Sequence, residues 1–175
     1  KIVSKGFVDG FYYKPRVDYE VLETYHEGII ALSACLAGEV SKNLVRGLDE
    51  EAEKAALRYE EIFGKGNFFL EMQPSSDKDQ IYVNQQILIL SKLLNIPYII
   101  TTDSHYLKAE DAPIHKAFLN SQEGDREVDA FYATTYLMGT EEIEQYFISY
   151  ADEEILQEAY KNILKIKNMC EDYSI

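Results

Sequence analysis

The stretch "YIITTDSHYL" (98–107) begins as an apolar run and ends in residues that can bind metal or carry protons. Two threonines follow the apolar residues, and Asp103 and His105 come next with one serine between them. The run follows an amphipathic segment, 79–95, and Pro97 marks the turn between the two. A helix that leads into a short apolar strand is the repeating unit of a parallel α/β fold. The stretch therefore predicts a buried strand with chemically useful side chains at its carboxyl end.

The same alternation occurs upstream. Apolar runs at 29–33 and 67–72 predict two more strands, and Asp18 is a plausible N-cap and Gly28 a plausible end for the first helix. Three apolar strands separated by helices imply parallel pairing with burial on both faces. After residue 108 the pattern is mainly helical, with an irregular stretch at 124–139 that holds a short strand at 136–138. The predicted helices are 17–28, 36–47, 48–66, 79–95, 110–122, 140–149 and 153–171.

Composition predicts one globular domain. The chain has 175 residues, of which 46% are hydrophobic and 27% charged, and no apolar run is long enough to span a bilayer. Its two cysteines, Cys35 and Cys170, are too few for a disulfide framework, which favours a reducing, cytoplasmic location. The first residues do not have the pattern of a secretory leader and the chain starts with Lys, so we expect no secretory signal and a piece of a longer protein.

Net charge limits how this chain could act on nucleic acid. It carries 31 acidic and 17 basic residues, a net charge of −14, and no dense basic stripe. Its overall field repels phosphates. We therefore expect any nucleic acid to be held by other parts of the protein, or the charge to be offset locally by metal ions.

Ligands of parallel α/β folds gather at the carboxyl ends of the strands. If the extended conformation continues past residue 102, Asp103 and His105 point the same way and reach one divalent ion. Such mixed ligation suits zinc, manganese or iron. The alternative is that Asp103 caps a turn and His105 makes hydrogen bonds in a partly buried position.

Two more residues follow predicted strands. Cys35 comes after strand 29–33, next to a helix start that would favour its thiolate as a zinc ligand, or else it is a small buried residue. Glu71, followed by Gln73, ends strand 67–72 and could be a ligand, an orienting group, a general base or a helix cap.

The remaining candidates are weaker. His115 and His26 fall in predicted helices, where packing or hydrogen bonding is favoured over ligation, and Cys170 is read as a core or surface residue. The cluster at 12–16, with two tyrosines, Lys14 and Arg16, could stack on bases, but packing as an aromatic lid is favoured. Phosphate loops of the Walker or dinucleotide type and a GxSxG elbow do not occur in the sequence.

Three segments together resemble a known family. They are "GFYYKPRVDYEVLETYHEGIIALSACLAGEV" (10–40), "NFFLEMQ" (67–73) and "NIPYIITTDSHYLKAEDAPIHKAFLNSQEG" (95–124). In order and spacing they resemble the PHP (polymerase and histidinol phosphatase) domain of bacterial DNA polymerase III alpha subunits. The final "EAYKNILKIKNMCEDYSI" (158–175) resembles the helix that closes this domain.

The resemblance implies an α/β fold, a partial, distorted (β/α)7 barrel whose parallel strands are flanked by helices, with a mainly helical last third. It implies that Cys35, Asp103 and His105 are ligands of divalent metal, zinc or manganese above all. Glu71 and His115 are supporting candidates from their positions in the sequence and not from the resemblance. Some members of the family hydrolyse DNA as metal-dependent 3′→5′ exonucleases, and others use the domain only structurally.

The resemblance also implies what the whole protein does. Residues 1–175 would form a single segment, the second half of a PHP domain, with the upstream half and the polymerase palm lying outside it. The intact protein would be a magnesium-dependent DNA polymerase whose other domains bind DNA, deoxynucleotides and replisome subunits, with no membrane partner. The isolated chain is expected to be inactive, and an open sheet edge would allow it to dimerise. The alternatives are a structural or interaction domain without catalysis and a free-standing PHP phosphoesterase.

Overall fold

The computed structural model describes residues 1–121 and 132–172, which contain eight α-helices, three β-strands and one 3₁₀ turn, Ala109–Asp111. The strands are β1 (Ala31–Leu32), β2 (Phe68–Met72) and β3 (Tyr98–Ile100). The helices are α1 (Ile2–Val8), α2 (Tyr19–Tyr25), α3 (Glu39–Val45), α4 (Asp49–Phe63), α5 (Lys78–Leu94), α6 (Ala112–Asn120), α7 (Thr140–Phe147) and α8 (Glu153–Met169).

The three strands form one parallel sheet in the order β1-β2-β3. Ala31 pairs with Phe68 in the first ladder, and Leu70 pairs with Tyr98 in the second. This confirms the predicted α/β class and the parallel pairing. Closure into a barrel stays a prediction, because the described sheet has three strands.

Strand β2 is the centre of the core, and all five of its residues are buried. Helix α4 presents Ala52, Ala55 and Ala56 at helical spacing, and these small side chains let it pack closely. Helix α5 contributes a stripe of Val83, Ile87 and Leu90 to the same core. Full burial of each large apolar side chain contributes about 1.5–3 kcal/mol, so β2 and its two helices carry much of the stability.

The far edge of β3 is covered by α8. Asn162 donates from Nδ2 to the carbonyl oxygen of Tyr98 at 3.0 Å, and the Tyr98 hydroxyl donates to the carbonyl oxygen of Ile155 at 3.1 Å. These bonds occupy backbone and side-chain groups that an exposed edge strand would leave free. Burial and the surrounding acidic residues raise the pKa of Tyr98, so its hydroxyl stays protonated as a donor.

Several predicted boundaries were wrong. Helix α1 was not predicted, and the helix expected over 17–28 occupies only Tyr19–Tyr25, although Asp18 caps it as predicted by accepting from the Val21 N–H at 3.0 Å. The helix has ended before Gly28, whose backbone is left-handed with φ 75°. Strand β1 has two residues, and Leu32 is 40% exposed, so burial on both faces does not hold for this strand.

The last third is mainly helical, as predicted. In place of a strand at 136–138 there is an isolated parallel bridge between Tyr106 and Tyr136, and part of the irregular stretch predicted at 124–139 lies outside the described residues. Among the helices that the structure describes, none has the length and apolar character that a membrane span requires.

Candidate functional site

Four of the predicted site residues lie at or just after the carboxyl ends of the three parallel strands, and His115 lies in α6. Cys35 comes three residues after β1, Glu71 lies within the last two residues of β2, and Asp103 and His105 come three and five residues after β3. Parallel pairing places these three strand ends at the same edge of the sheet. We call this the carboxyl edge.

Cys35 lies in a tightly folded turn between β1 and α3. The residue before it, Ala34, has a left-handed backbone with φ 64°, a conformation that is uncommon for a residue other than glycine. The Gly38 N–H donates to the Cys35 carbonyl at 2.8 Å, and a Cβ at Gly38 would lie 2.2 Å from the Ser33 carbonyl oxygen. Gly38 is the N-cap of α3, so Cys35 precedes the N-cap by three residues. The Cys35 thiol is free and half-buried, and Cys170, at the end of α8, is free and exposed.

Asp103 also has a left-handed backbone, with φ 44°. The premise that the extended conformation continues past Thr102 is therefore wrong: β3 ends at Ile100 and the chain turns at Asp103. The turn is closed by His105, whose Nδ1 lies 2.6 Å from the Asp103 carbonyl oxygen and whose backbone N–H donates to the Thr135 carbonyl at 2.7 Å. Strained backbone next to strand ends is characteristic of functional sites, and here it occurs at both predicted ligand segments.

Glu71 links the three strands through a buried hydrogen-bond network. Its backbone N–H donates to Ser33 Oγ, just after β1, at 2.8 Å. Its carboxylate Oε1 accepts from Gln73 Nε2 at 3.1 Å and from the hydroxyl of Thr101, just after β3. Glu71, Gln73 and Ser33 are all buried. Glu71 thus holds the start of the segment that leads to Asp103, and its role as an orienting group stays a prediction.

Asn84 of α5 extends this network, and the sequence reasoning missed it. Its Oδ1 accepts from the Gln73 N–H at 3.1 Å and from Gln80 Nε2 at 3.0 Å. Its Nδ2 donates to the Gln73 carbonyl at 2.8 Å and to the Tyr150 hydroxyl at 2.9 Å. The sequence does contain an indication of this network, because two amides, Gln80 and Asn84, occupy positions in the apolar stripe of α5. A polar side chain on a buried helix face needs hydrogen-bond partners, and Asn84 has them in the backbone of Gln73 at the carboxyl edge.

His115 lies beside His105. The centroids of the two imidazole rings are 5.4 Å apart, and Tyr132 packs edge-on against both, at 5.2 and 5.1 Å. Tyr106 contacts His115 from another side, at 5.3 Å. Burial, and to a smaller extent the neighbouring His105, lower the pKa of His115, which favours its neutral form at pH 7.

Within residues 1–121 and 132–172, no three His, Cys, Asp or Glu side chains are grouped closely enough to hold a metal ion. Ligation by Cys35, Asp103 and His105 therefore stays a prediction, with Glu71 and His115 as supporting candidates.

The aromatic cluster near the start of the chain does not form a lid. Tyr12 and Tyr13 are 62% and 83% exposed, and the Arg16 guanidinium lies over the Tyr12 ring at 4.9 Å from its centroid. Packing over the sheet was the favoured alternative for this cluster, and the exposure of both rings shows that it was wrong. Stacking on bases stays a prediction.

Comparison with known proteins shows what the chain is similar to. Residues 1–75 match the PHP domain. The chain is 37% identical over 161 residues to the "Probable DNA polymerase YorL" of Bacillus subtilis, an alignment that covers 84% of this chain and 12% of that protein. It is 32% identical over 180 residues to the "DNA polymerase III subunit alpha" of Borreliella burgdorferi, covering 100% of this chain and 15% of that protein. The protein of the same name from Deinococcus radiodurans is 38% identical over 122 residues, covering 70% of this chain and 9% of its own length. The chain thus spans a small part of the polymerases that it resembles.

Proposed function

We propose that this chain is the metal-binding part of a replicative DNA polymerase. The proposal is supported by the match of residues 1–75 to the PHP domain and by similarity over most of the chain to DNA polymerase III alpha subunits. In the intact protein, other domains would carry DNA synthesis with magnesium and would bind DNA, deoxynucleotides and replisome subunits. The carboxyl edge described here would bind divalent metal and take part in hydrolysis of phosphodiesters.

The observation that carries the proposal is the carboxyl edge itself. Cys35 and the Asp103–His105 pair follow two strands of one parallel sheet, and a left-handed residue shapes the backbone at each of these two turns. A thiol, a carboxylate and an imidazole are together a donor set typical of zinc, and manganese would rely more on the carboxylate. A divalent ion bound there would polarise a phosphodiester and lower the pKa of a bound water. The chain's own contribution would be to present these three donors and to orient them through Glu71.

The test begins with metal content. We expect elemental analysis of the purified chain to find about one zinc or manganese per molecule, lost in a Cys35→Ser/His105→Ala double variant. Cys170→Ser is the matched control, because this exposed thiol lies at the end of α8, away from the carboxyl edge. Equal metal in the wild-type chain and the double variant would refute metal binding by these residues.

The hydrolytic part needs the intact polymerase. We expect Asp103→Asn in the whole protein to reduce metal-dependent 3′→5′ exonuclease activity while leaving primer extension in place. Asn is the suitable replacement because it tolerates a positive φ as Asp does, so the turn keeps its backbone. Full exonuclease activity in this variant would contradict a catalytic role.

A second candidate is a structural domain that contacts other proteins or domains. The observation that favours it is a group of exposed apolar side chains in and just after α1. They are Val3, Phe7, Val8 and Phe11, with exposed fractions of 58–80%. If this candidate is correct, Phe7→Ser in the intact polymerase will weaken a subunit or domain contact in a binding assay and leave exonuclease activity unchanged.

The sheet edge at β1 also bears on the isolated chain. β1 is the outer strand of the described sheet, and Leu32 on it is partly exposed. We propose that two copies pair through this edge, since an unpaired strand is a template for another. Sedimentation velocity of the purified chain should find a dimer that Leu32→Lys converts to monomer.

A further inference from the structure

We infer that His115 of α6 is a metal ligand together with His105, so that the two imidazoles form a chelating pair for a divalent transition metal. This inference rests on the proposed metal-binding function, because His105 belongs to both, and it adds a ligand from a different element. The pair selects metals that prefer nitrogen donors, such as zinc, over magnesium or calcium.

The ring separation matches such a pair. Zinc binds imidazole nitrogen at about 2.0–2.1 Å, which places the ring centroid about 3.2 Å from the metal. Two rings at a tetrahedral angle then have centroids about 5.2 Å apart. The observed separation between His105 and His115 is 5.4 Å. The two ring planes are inclined by 56°, so the imidazoles are not stacked face to face.

The hydrogen bond of His105 leaves one ring nitrogen free for a metal. Its Nδ1 faces the Asp103 carbonyl oxygen at 2.6 Å, and because a carbonyl can only accept, Nδ1 carries the hydrogen. In the neutral ring Nε2 therefore has the free lone pair. Metal-bound histidines typically have this arrangement, in which the other ring nitrogen donates to a carbonyl or carboxylate and fixes the ring.

His115 also borders an open space. Its imidazole lines a cavity of about 200 Å³ together with Lys116 and Tyr132, and His105 does not line this cavity. Tyr106 and Tyr132 hold the ring from its sides and present no carboxylate to it.

His26 is a matched control within the same chain. The chain has three histidines, and His26 shares the tautomer of His105, since its Nδ1 donates to the Glu23 carbonyl at 2.8 Å. The other two histidines are paired with each other at the carboxyl edge, so His26 has no second imidazole beside it. It reports what one histidine with the same hydrogen bond contributes alone.

The experiment is a zinc titration of the purified chain with nitrogen-15 labelled histidine, read by NMR of the imidazole nitrogens. We expect one equivalent of zinc to shift the Nε2 resonance of His105 and one ring nitrogen of His115, and to leave His26 unchanged. In a competition assay with a chromogenic chelator, His115→Ala should weaken zinc binding roughly a hundredfold, because a two-point attachment becomes a one-point attachment. His26→Ala should bind as the wild type does.

The outcomes separate this inference from the proposed function. If zinc shifts His105 but not His115, the pair is refuted and the proposed site at Cys35, Asp103 and His105 stands. If zinc shifts neither ring, both are refuted. If His115→Gln, whose amide keeps the size of the side chain and whose fold is checked by circular dichroism, binds zinc as tightly as the wild type, the pair is refuted. A shift of both rings that survives in a Cys35→Ser variant supports the pair as a site in its own right.

Discussion

The Asn84 network allows a quantitative prediction about stability. Asn84 is fully buried and makes four hydrogen bonds, two of them to the backbone of Gln73 at the carboxyl edge and one each to Gln80 and Tyr150. Asn84→Ala removes all four and leaves both buried backbone groups of Gln73 without this partner. At a net value of about 1 kcal/mol per bond, the free energy of unfolding should fall by about 4 kcal/mol. That is a large share of the roughly 5–15 kcal/mol typical of a domain.

The assay is equilibrium unfolding in urea, followed by circular dichroism and by tyrosine fluorescence. Gln85→Ala is the matched control, because this neighbouring amide on the same helix is exposed, and it should change the free energy by less than about 0.5 kcal/mol. A loss below about 1 kcal/mol for Asn84→Ala, with an unchanged m-value, would show that the network does not stabilise the carboxyl edge.

Three further predictions follow from the same region and its neighbours. Gly38→Ala should lower stability by about 1–3 kcal/mol, since the new Cβ would lie 2.2 Å from the Ser33 carbonyl oxygen. Gly139→Ala should lower it by less than about 1 kcal/mol, because its Cβ would meet only Glu142 Oε2, at an ordinary contact distance of 3.7 Å, and thermal melts compare the two variants. Thr101→Val removes a hydroxyl donor to the carboxylate of β2 and should lower stability by about 1–3 kcal/mol in urea unfolding, and an unchanged midpoint would contradict the contact. Burial, followed by the hydrogen bond to Glu39, raises the pKa of Tyr59, so the protonated hydroxyl stabilises the fold fully below about pH 10 and this stabilisation is lost as pH rises through the raised pKa. Tyr59→Phe should therefore reduce the fall in the free energy of unfolding between about pH 9.5 and 11.5. Equal slopes of that free energy against pH in the variant and the wild type would disprove this.

Much of the fold was predictable because its signals are local. Strand β2 and helices α4 and α5 have clear periodicity, and the structure places them within a few residues of their predicted bounds. The parallel order followed from alternating strands and helices. Strand β1 was predicted at five residues and has two, because strand length depends on pairing with a neighbour, which periodicity does not encode.

The site was predictable in its location but not in its geometry. The strand ends correctly indicated where Cys35, Glu71 and Asp103 would lie. The left-handed turn at Asp103 was missed, because a single residue in that conformation leaves no mark on hydrophobic pattern. The contact of His115 with His105 joins α6 to the segment after β3, and such contacts depend on how elements pack, which one sequence does not state. The hydrogen-bond partners of Asn84 could not be predicted for the same reason, although its position on a buried helix face indicated that it would need partners.

Two properties are required at position 103: a side chain that tolerates a positive φ and a carboxylate. A φ of 44° is readily adopted by Gly, Asn and Asp and costs other residues roughly 1–2 kcal/mol. A complete set of substitutions at this position therefore sorts into three behaviours. Asn and Gly keep the turn and lose the charge. Glu keeps the charge but disfavours the left-handed conformation, and β-branched residues lose the charge and disfavour the turn. Any assay of this position that uses alanine alone mixes the energy of the turn with the chemistry of the carboxylate, and the Asn and Gly variants are the ones that tell them apart.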